Sequence, residues 1–335
     1  MVDLSIAFSG DKPLSEYIGL AKSVEEYGFN TFSIYDDLMF KPAWPILSVV
    51  AMHTQRVRIG PAISNPYLMH PAIIAGNLAL LDELSEGRAF LGIGRGAFLD
   101  FLQLDQPSPI TAVRESIEII KRLLRGDHTP YHGEIFTATE SAFLRWCPPR
   151  PDVPIMVGTW GPKMCEMSGE LADEVKISPI WDADYLSLLW KHLAKGAKSV
   201  GRDPTDIDLV VGVLTSISDD RDEAKACARR ALAIYLPYLS PMTEIVGVEE
   251  EEMRRVRAAS TRGDYDAAGL ALSDTSLDNF TLYGTPKEII AKIERMVGEA
   301  PVNRIEFGTP HGPDEAKAVR MLGEQVLPHF AAKGF

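Results

Sequence analysis

Cysteine is scarce: only Cys147, Cys165 and Cys227 occur in 335 residues, and no two form a Cys-x-x-Cys pair. An odd number of widely spaced thiols excludes a disulfide framework and fits a reducing, cytoplasmic setting. The seven histidines include no His-Glu-x-x-His or His-x-His pair, and none adjoins a cysteine or acid cluster, which argues against a metal site. No apolar run reaches the roughly 18 residues of a membrane-spanning helix, and residues 1–5 carry neither a basic segment nor an apolar leader. Basic charge is in the minority, with 34 Lys and Arg against 47 Asp and Glu and a net charge of −13. That balance excludes a general binder of nucleic acid or of anionic membranes and leaves room only for local basic pockets. No Ser-His-Asp order, nucleophile elbow or paired-carboxylate motif stands out.

What is present is an ordinary globular composition, 46% apolar and 24% charged, in a chain long enough for a large core. Short apolar runs at 4–8, 31–35, 57–63, 89–93, 155–157, 174–178, 209–214 and 304–307 alternate with helical patterns. The first of these helices spans about 14–27 and stops at Gly28. Eight strands in regular βα alternation, with no composition break to mark a linker, predict one closed (β/α)8 TIM barrel over 1–335 rather than an open doubly wound sheet. Two stretches exceed the bare barrel. Residues 126–154 hold a turn-like Tyr131-His132-Gly133-Glu134-Ile135-Phe136, and residues 240–283 form a polar, helical insertion after strand seven. The insertion reads equally as a lid over the site or as a surface or dimer-contact excursion.

In such a barrel function sits at the C-terminal ends of the strands. Strand five ends in Gly158-Thr159-Trp160 and restarts as a helix at Gly161-Pro162, which leaves free backbone N–H groups as a seat for an anion. Gly92, Gly94 and Gly96 lack the GxGxxG spacing of a dinucleotide fold, so close approach of backbone to a ligand is the better reading of them. Arg95 between them is either a bidentate partner for an anionic group or an exposed loop residue. On strand six Val175 and Ile177 alternate with Glu174, Lys176 and Ser178; on strand eight Ile305 and Phe307 flank Glu306. A period of two therefore turns Lys176 and Glu306 into the barrel within reach of one another, as a structural ion pair or as a ligand-facing charge pair. Asp36 and Asp37 after strand two point to opposite faces, so one at most enters the site directly while the other caps a helix or binds a loop.

These residues are carried by words that extend over nearly the whole chain: Gly60-Pro61-Ala62-Ile63-Ser64-Asn65-Pro66-Tyr67, Leu81-Asp82-Glu83-Leu84-Ser85-Glu86-Gly87-Arg88, Leu91-Gly92-Ile93-Gly94, Gly161-Pro162-Lys163-Met164 and Val326-Leu327-Pro328-His329-Phe330. In them the chain resembles the bacterial-luciferase-like family of TIM barrels, and within it the coenzyme F420-dependent methylenetetrahydromethanopterin reductases. The resemblance implies a deazaflavin backed by a bulge with a non-prolyl cis peptide at Ala62-Ile63. It implies a cofactor phosphate beside Gly158, Thr159, Gly161 and Pro162, with Asp36, Asn65, Gly94, Arg95 and Gly96 lining the cofactor. It further implies a cytoplasmic oxidoreductase that transfers a hydride to a small one-carbon carrier, in a homodimer or dimer of dimers. FMN in a monooxygenase or reductase, and a flavin-free binding protein, are the alternatives. Two departures from the relatives stand out: Ala7 occupies the strand-one position where the reductases carry a glutamate, and Asp36-Asp37 replaces Asp-His. Glu306, Asp36 and Lys176 are accordingly the catalytic candidates, Glu306 as a substitute acid from another strand.

Overall fold

Residues 2–333 are described by the computed structural model. Their short strands are buried on both faces, which requires a parallel sheet covered by helices outside and filled by side chains inside. The barrel strands, numbered one to eight, are Asp3–Phe8, Thr31–Ile34, Arg58–Pro61, Leu91–Gly94, Ile155–Gly158, Glu174–Ile177, Asp208–Ile217 and Arg304–His311. They pair in the order three, two, one, eight, seven, six, five, four. Bridges from Ile59 to Ala89 and from Ser64 to Ile93 then join strand three to strand four. Helix Leu14–Tyr27 ends where predicted, at Gly28, which takes the left-handed φ of 88° that a side chain would resist.

The alternation along the strands divides the interior in two. Ile6, Phe32, Ile59, Ile93, Val157, Val175, Ile177, Val211, Ile305 and Phe307 face the helices and form the main core. Ala62, Phe90, Met156 and Val210 pack inside the barrel. Among the described residues no helix is long and apolar enough to cross a membrane.

The two expected excursions are both ordered. Tyr131–His132 and Thr137–Ala138 form a small antiparallel hairpin, whose turn is held by buried Glu115 accepting from the N–H groups of Glu134, Ile135 and Phe136. The insertion begins after helix Arg221–Tyr235 and contains helices Met242–Ile245, Glu250–Ser260, Tyr265–Leu270 and Asp274–Phe280. It returns through a short strand, Thr281–Gly284, that pairs with Leu214–Ile217 in the upper half of strand seven. Arg229 donates to the carbonyls of Gly269 and Leu272, fastening the insertion to the outer face of helix Arg221–Tyr235.

At the N-terminal end of the barrel Glu174 lies between two guanidiniums, Arg58 Nη2 at 2.5 Å and Arg304. Burial pushes the Glu174 carboxyl up, but Arg304 and Arg58 more than offset this and hold it below the usual glutamate range. A carboxyl lowered in this way stabilises the fold above its unfolded value and loses that contribution as pH falls through its folded value. Replacing Glu174 with Ala leaves two guanidiniums without their anion, so E174A should lose about 3–5 kcal/mol in denaturant unfolding. An unchanged midpoint would show that the triad contributes nothing to stability.

Candidate active site

A cavity of about 800 Å³ opens at the C-terminal ends of the strands, the size of a site for a cofactor and a small substrate together. Its wall on one side is the connection that leaves strand three. There Pro61 ends the regular ladder, and the Ala62-Ile63 peptide is cis, at the position that the resemblance implies. The Ile63 side chain fits a cup made by missing Cβ atoms: one on Gly158 would stand 2.7 Å from Ile63 Cδ1, one on Gly92 3.1 Å from Cγ2, and one on Gly94 would strike Cδ1 and, at 2.7 Å, the Gly158 carbonyl. A Cβ on Gly92 would also strike the Pro61 carbonyl oxygen, so close packing against strand three and Ile63 already requires glycine at 92 and 94, whatever ligand the cavity holds. Three further cis bonds, Ser178-Pro179, Ser240-Pro241 and Thr309-Pro310, also lie at the cavity.

The cavity is lined by Asp36, Ala62, Ile63, Arg95, Gly96, Gly158, Thr159, Gly161 and Lys176. Asn65 and Gly94 lie behind this surface. Asn65 is buried and its Oδ1 accepts from the N–H groups of Tyr67 and Leu68, so it shapes the loop. Gly96, at φ 87°, leaves too little room for a Cβ, which would stand 2.9 Å from that of Asn65. Pro162 opens helix Pro162–Leu171, and Gly161 precedes it in an extended conformation with no side-chain cap. The Gly161 N–H donates to Thr159 Oγ1 at 3.1 Å. The exposed Arg95 donates to Gln106 at the cavity rim.

Lys176 and Glu306 are both buried and meet in an ion pair across strand seven. Gly212 gives the crossing its room, since a Cβ there would lie 2.9 Å from Lys176 Cε and 2.8 Å from Ser178 Oγ. Lys176 Nζ also stands 5.1 Å from the ring centre of Tyr35. Burial above all, then the charge of Glu306, raises the Tyr35 hydroxyl well above its ordinary value and keeps it neutral.

Asp36 and Asp37 follow strand two and both line the cavity, a correction to the expectation that at most one of them enters it, but their partners differ. Asp36 accepts from Ser64 Oγ at 2.7 Å and from the Ala43 N–H at 3.2 Å, tying the end of strand two to the bulge and to helix Ala43–Ala51. Asp37 turns to the cavity, and its carboxylate makes no hydrogen bond or ion pair among the described residues. Burial pushes this carboxyl up to about 6, Lys176 opposing the shift and Asp36 adding to it. At the mouth, Phe98 stacks on Phe101 with ring centres 5.4 Å apart and meets Tyr238 edge-on at 5.5 Å. Tyr235, Tyr238, Leu239, Ser240 and Pro241 complete that wall, so the beginning of the insertion reaches the site while its later helices do not line it. Sequence reasoning weighed Asp36 and Asp37 as a pair but carried only Asp36 to the site, and it missed Tyr35 and this aromatic rim. The polarity of Asp37 and the run of Phe and Tyr were visible, but only the tertiary fold brings them together.

A sequence profile described as luciferase-like monooxygenase matches residues 4–304. A 5,10-methylenetetrahydromethanopterin reductase of Methanolobus tindarius is 32% identical over 96% of this chain and 98% of its own length. The enzyme of the same name from Archaeoglobus fulgidus is 31% identical with the same coverage. The structure of coenzyme F420-dependent tetrahydromethanopterin reductase from Methanopyrus kandleri superposes with a TM-score of 0.91, covering 98% of this chain and 99% of that one at 28% identity. With its barrel, its bulge after strand three and a match along nearly its full length, the chain belongs to the luciferase-like monooxygenase family.

Proposed function

We propose that this protein is a coenzyme F420-dependent oxidoreductase that transfers a hydride between the deazaflavin and a one-carbon carrier of the methylene-tetrahydromethanopterin or folate type. The observation that carries this reading is the near full-length likeness to F420-dependent reductases, combined with a cavity whose walls suit the two ends of such a cofactor. A planar ring system fits against the Ala62-Ile63 bulge, whose backing is the close-packed cup around Ile63. A phosphate fits at the uncapped start of helix Pro162–Leu171, where free N–H groups and the helix dipole favour negative charge. The three free thiols support a reducing cytoplasm as its compartment.

The deazaflavin supplies two-electron hydride chemistry; the residues supply position, dryness and charge. Ala62, Ile63, Gly158 and Thr159 hold the ring and its side chain in place. Phe98, Tyr235 and Tyr238 offer aromatic faces on which a planar substrate stacks, and they cover the cavity against water. Lys176, neutralised by Glu306, closes the floor without leaving a net charge there. The Glu306 carboxylate is engaged by that ammonium, and Ala7 on strand one is buried and carries no acid.

Titration of the purified apoprotein with F420 and separately with FMN, followed by cofactor fluorescence, should show tight binding of F420 alone. Preference for FMN would move the protein to oxygen-consuming flavin chemistry, and binding of neither would overturn the reading. Gly161 has open space where a Cβ would stand, and Asp is a favoured residue at a helix start. Gly161→Asp should therefore keep the fold while its carboxylate opposes the phosphate, weakening F420 binding by roughly ten- to a hundredfold. The neutral Gly161→Asn should bind nearly as well as the parent, and equal affinity of all three proteins would remove the phosphate from this turn.

A further inference from the structure

The proposed reduction needs a proton as well as a hydride. A methylene group that bridges two nitrogens becomes a methyl group only if one C–N bond breaks and the departing nitrogen gains a proton. Most ionisable groups around the cavity are already engaged. Asp36 is bonded to Ser64 and Ala43, Glu306 to Lys176, and Arg95 to Gln106. Asp100 and Asp105 stand exposed at the rim, in water. Asp37 alone among these cavity carboxylates is half-buried, lines the cavity and makes no hydrogen bond or ion pair among the described residues.

Resting on the functional reading above, we propose that Asp37 is the proton donor of this site. The Asp37 carboxyl gives its proton to one bridging nitrogen as the C–N bond to that nitrogen breaks, the bonding pair staying on the nitrogen. The remaining nitrogen and the methylene carbon form an iminium cation, which the new Asp37 carboxylate stabilises. That carbon would then take the hydride that a reduced deazaflavin supplies, giving an N-methyl product, and the proton set free with that hydride would return to the Asp37 carboxylate directly or through water.

The groups that face Asp37 from the surrounding elements explain why it suits this role. Tyr35 and Asp36 belong to its own connection, Lys176 comes from strand six, and Tyr235 comes from the end of helix Arg221–Tyr235, where Asp11 is also felt. Burial raises the Tyr235 hydroxyl to about 12, with Asp37 and Asp11 adding to the shift, so it stays neutral. Lys176 is the one cation acting on Asp37, and Glu306 neutralises it. The ion pair thereby limits the pull of the ammonium on the carboxyl, and desolvation prevails. Two consequences with definite signs follow. The acid form fills below about pH 6 and empties above it, and removal of Glu306 strengthens the pull of Lys176 and moves that limb to lower pH.

The test compares wild type with Asp37→Asn, Asp37→Glu and Glu306→Gln, using F420 and methylene-tetrahydromethanopterin. Infrared difference titration of the apoproteins should show a carboxyl band lost near pH 6 in wild type, absent in D37N and moved to lower pH in E306Q. All four proteins should bind F420 with similar affinity. Turnover in D37N should fall by about 10²–10⁴-fold, and kcat/KM should lose its decline above pH 6. D37E should recover part of both, an outcome that a purely structural role does not predict. A D37N protein that keeps the decline, or wild type without the carboxyl band, overturns Asp37 as donor while leaving the functional reading intact. Wild type that binds F420 but reduces no methylene carrier overturns the one-carbon reading and, with it, the donor.

Discussion

A charge inside a barrel must be paired, and the Lys176–Glu306 pair is the constraint on which the site depends. Strands six and eight present these side chains to the interior, but strand seven runs between them. Gly212, which has no Cβ, leaves room for the contact. Once formed, it closes the cavity floor, sets an ammonium beside the Tyr35 ring and engages the acid that would otherwise be the obvious proton source. With Lys176 held by Glu306, desolvation governs the Asp37 carboxyl, whereas Asp36 one residue away is tied by Ser64 and the Ala43 N–H.

The wall opposite rests on a second constraint, one of volume. A barrel interior packs as densely as a crystal, so a side chain turned into it needs space reserved by its neighbours. Ile63 takes the space that Gly92, Gly94 and Gly158 leave empty, and those glycines lie on the two strands that follow the bulge. The same bulge interrupts the ladder between strands three and four, where two isolated bridges on either side of it make the closure. Regular pairing across the whole seam would leave no recess there. The irregularity, the glycines and the cis peptide are parts of one local solution.

Much of this was legible from periodicity. The strand positions, the stop at Gly28, the inward direction of Lys176 and Glu306 and the helix starting at Gly161-Pro162 all follow from patterns of two, of three to four, and of glycine with proline. What was not legible depends on partners distant in sequence. The pair of aspartates suggests that at most one faces inward, yet both line the cavity, and only the positions of Ser64 and Ala43 decide that Asp36 is tied and Asp37 is free. Gly94 resembles a ligand contact until Ile63 is placed beside it. The strand Thr281–Gly284 escaped notice at the end of the polar, helical insertion, and its pairing is set by the long strand seven.

The charged groups on strands six and eight form two layers with different surroundings. Glu174 and Arg304 stand two residues before Lys176 and Glu306 on the same strands, closed in with Arg58 and with the Met156 and Phe90 side chains packed against them. There each carboxylate oxygen of Glu174 meets a guanidinium. The upper layer faces the cavity, and there the matching is left incomplete by one carboxyl. A proton donor must be dry enough to hold its proton near neutral pH, yet remain within reach of the substrate. Those requirements conflict at a surface and in a sealed core alike; they are compatible at the floor of a deep cavity, beside an ion pair that consumes the nearest cation. The barrel supplies that place by separating its sealed end from its open one.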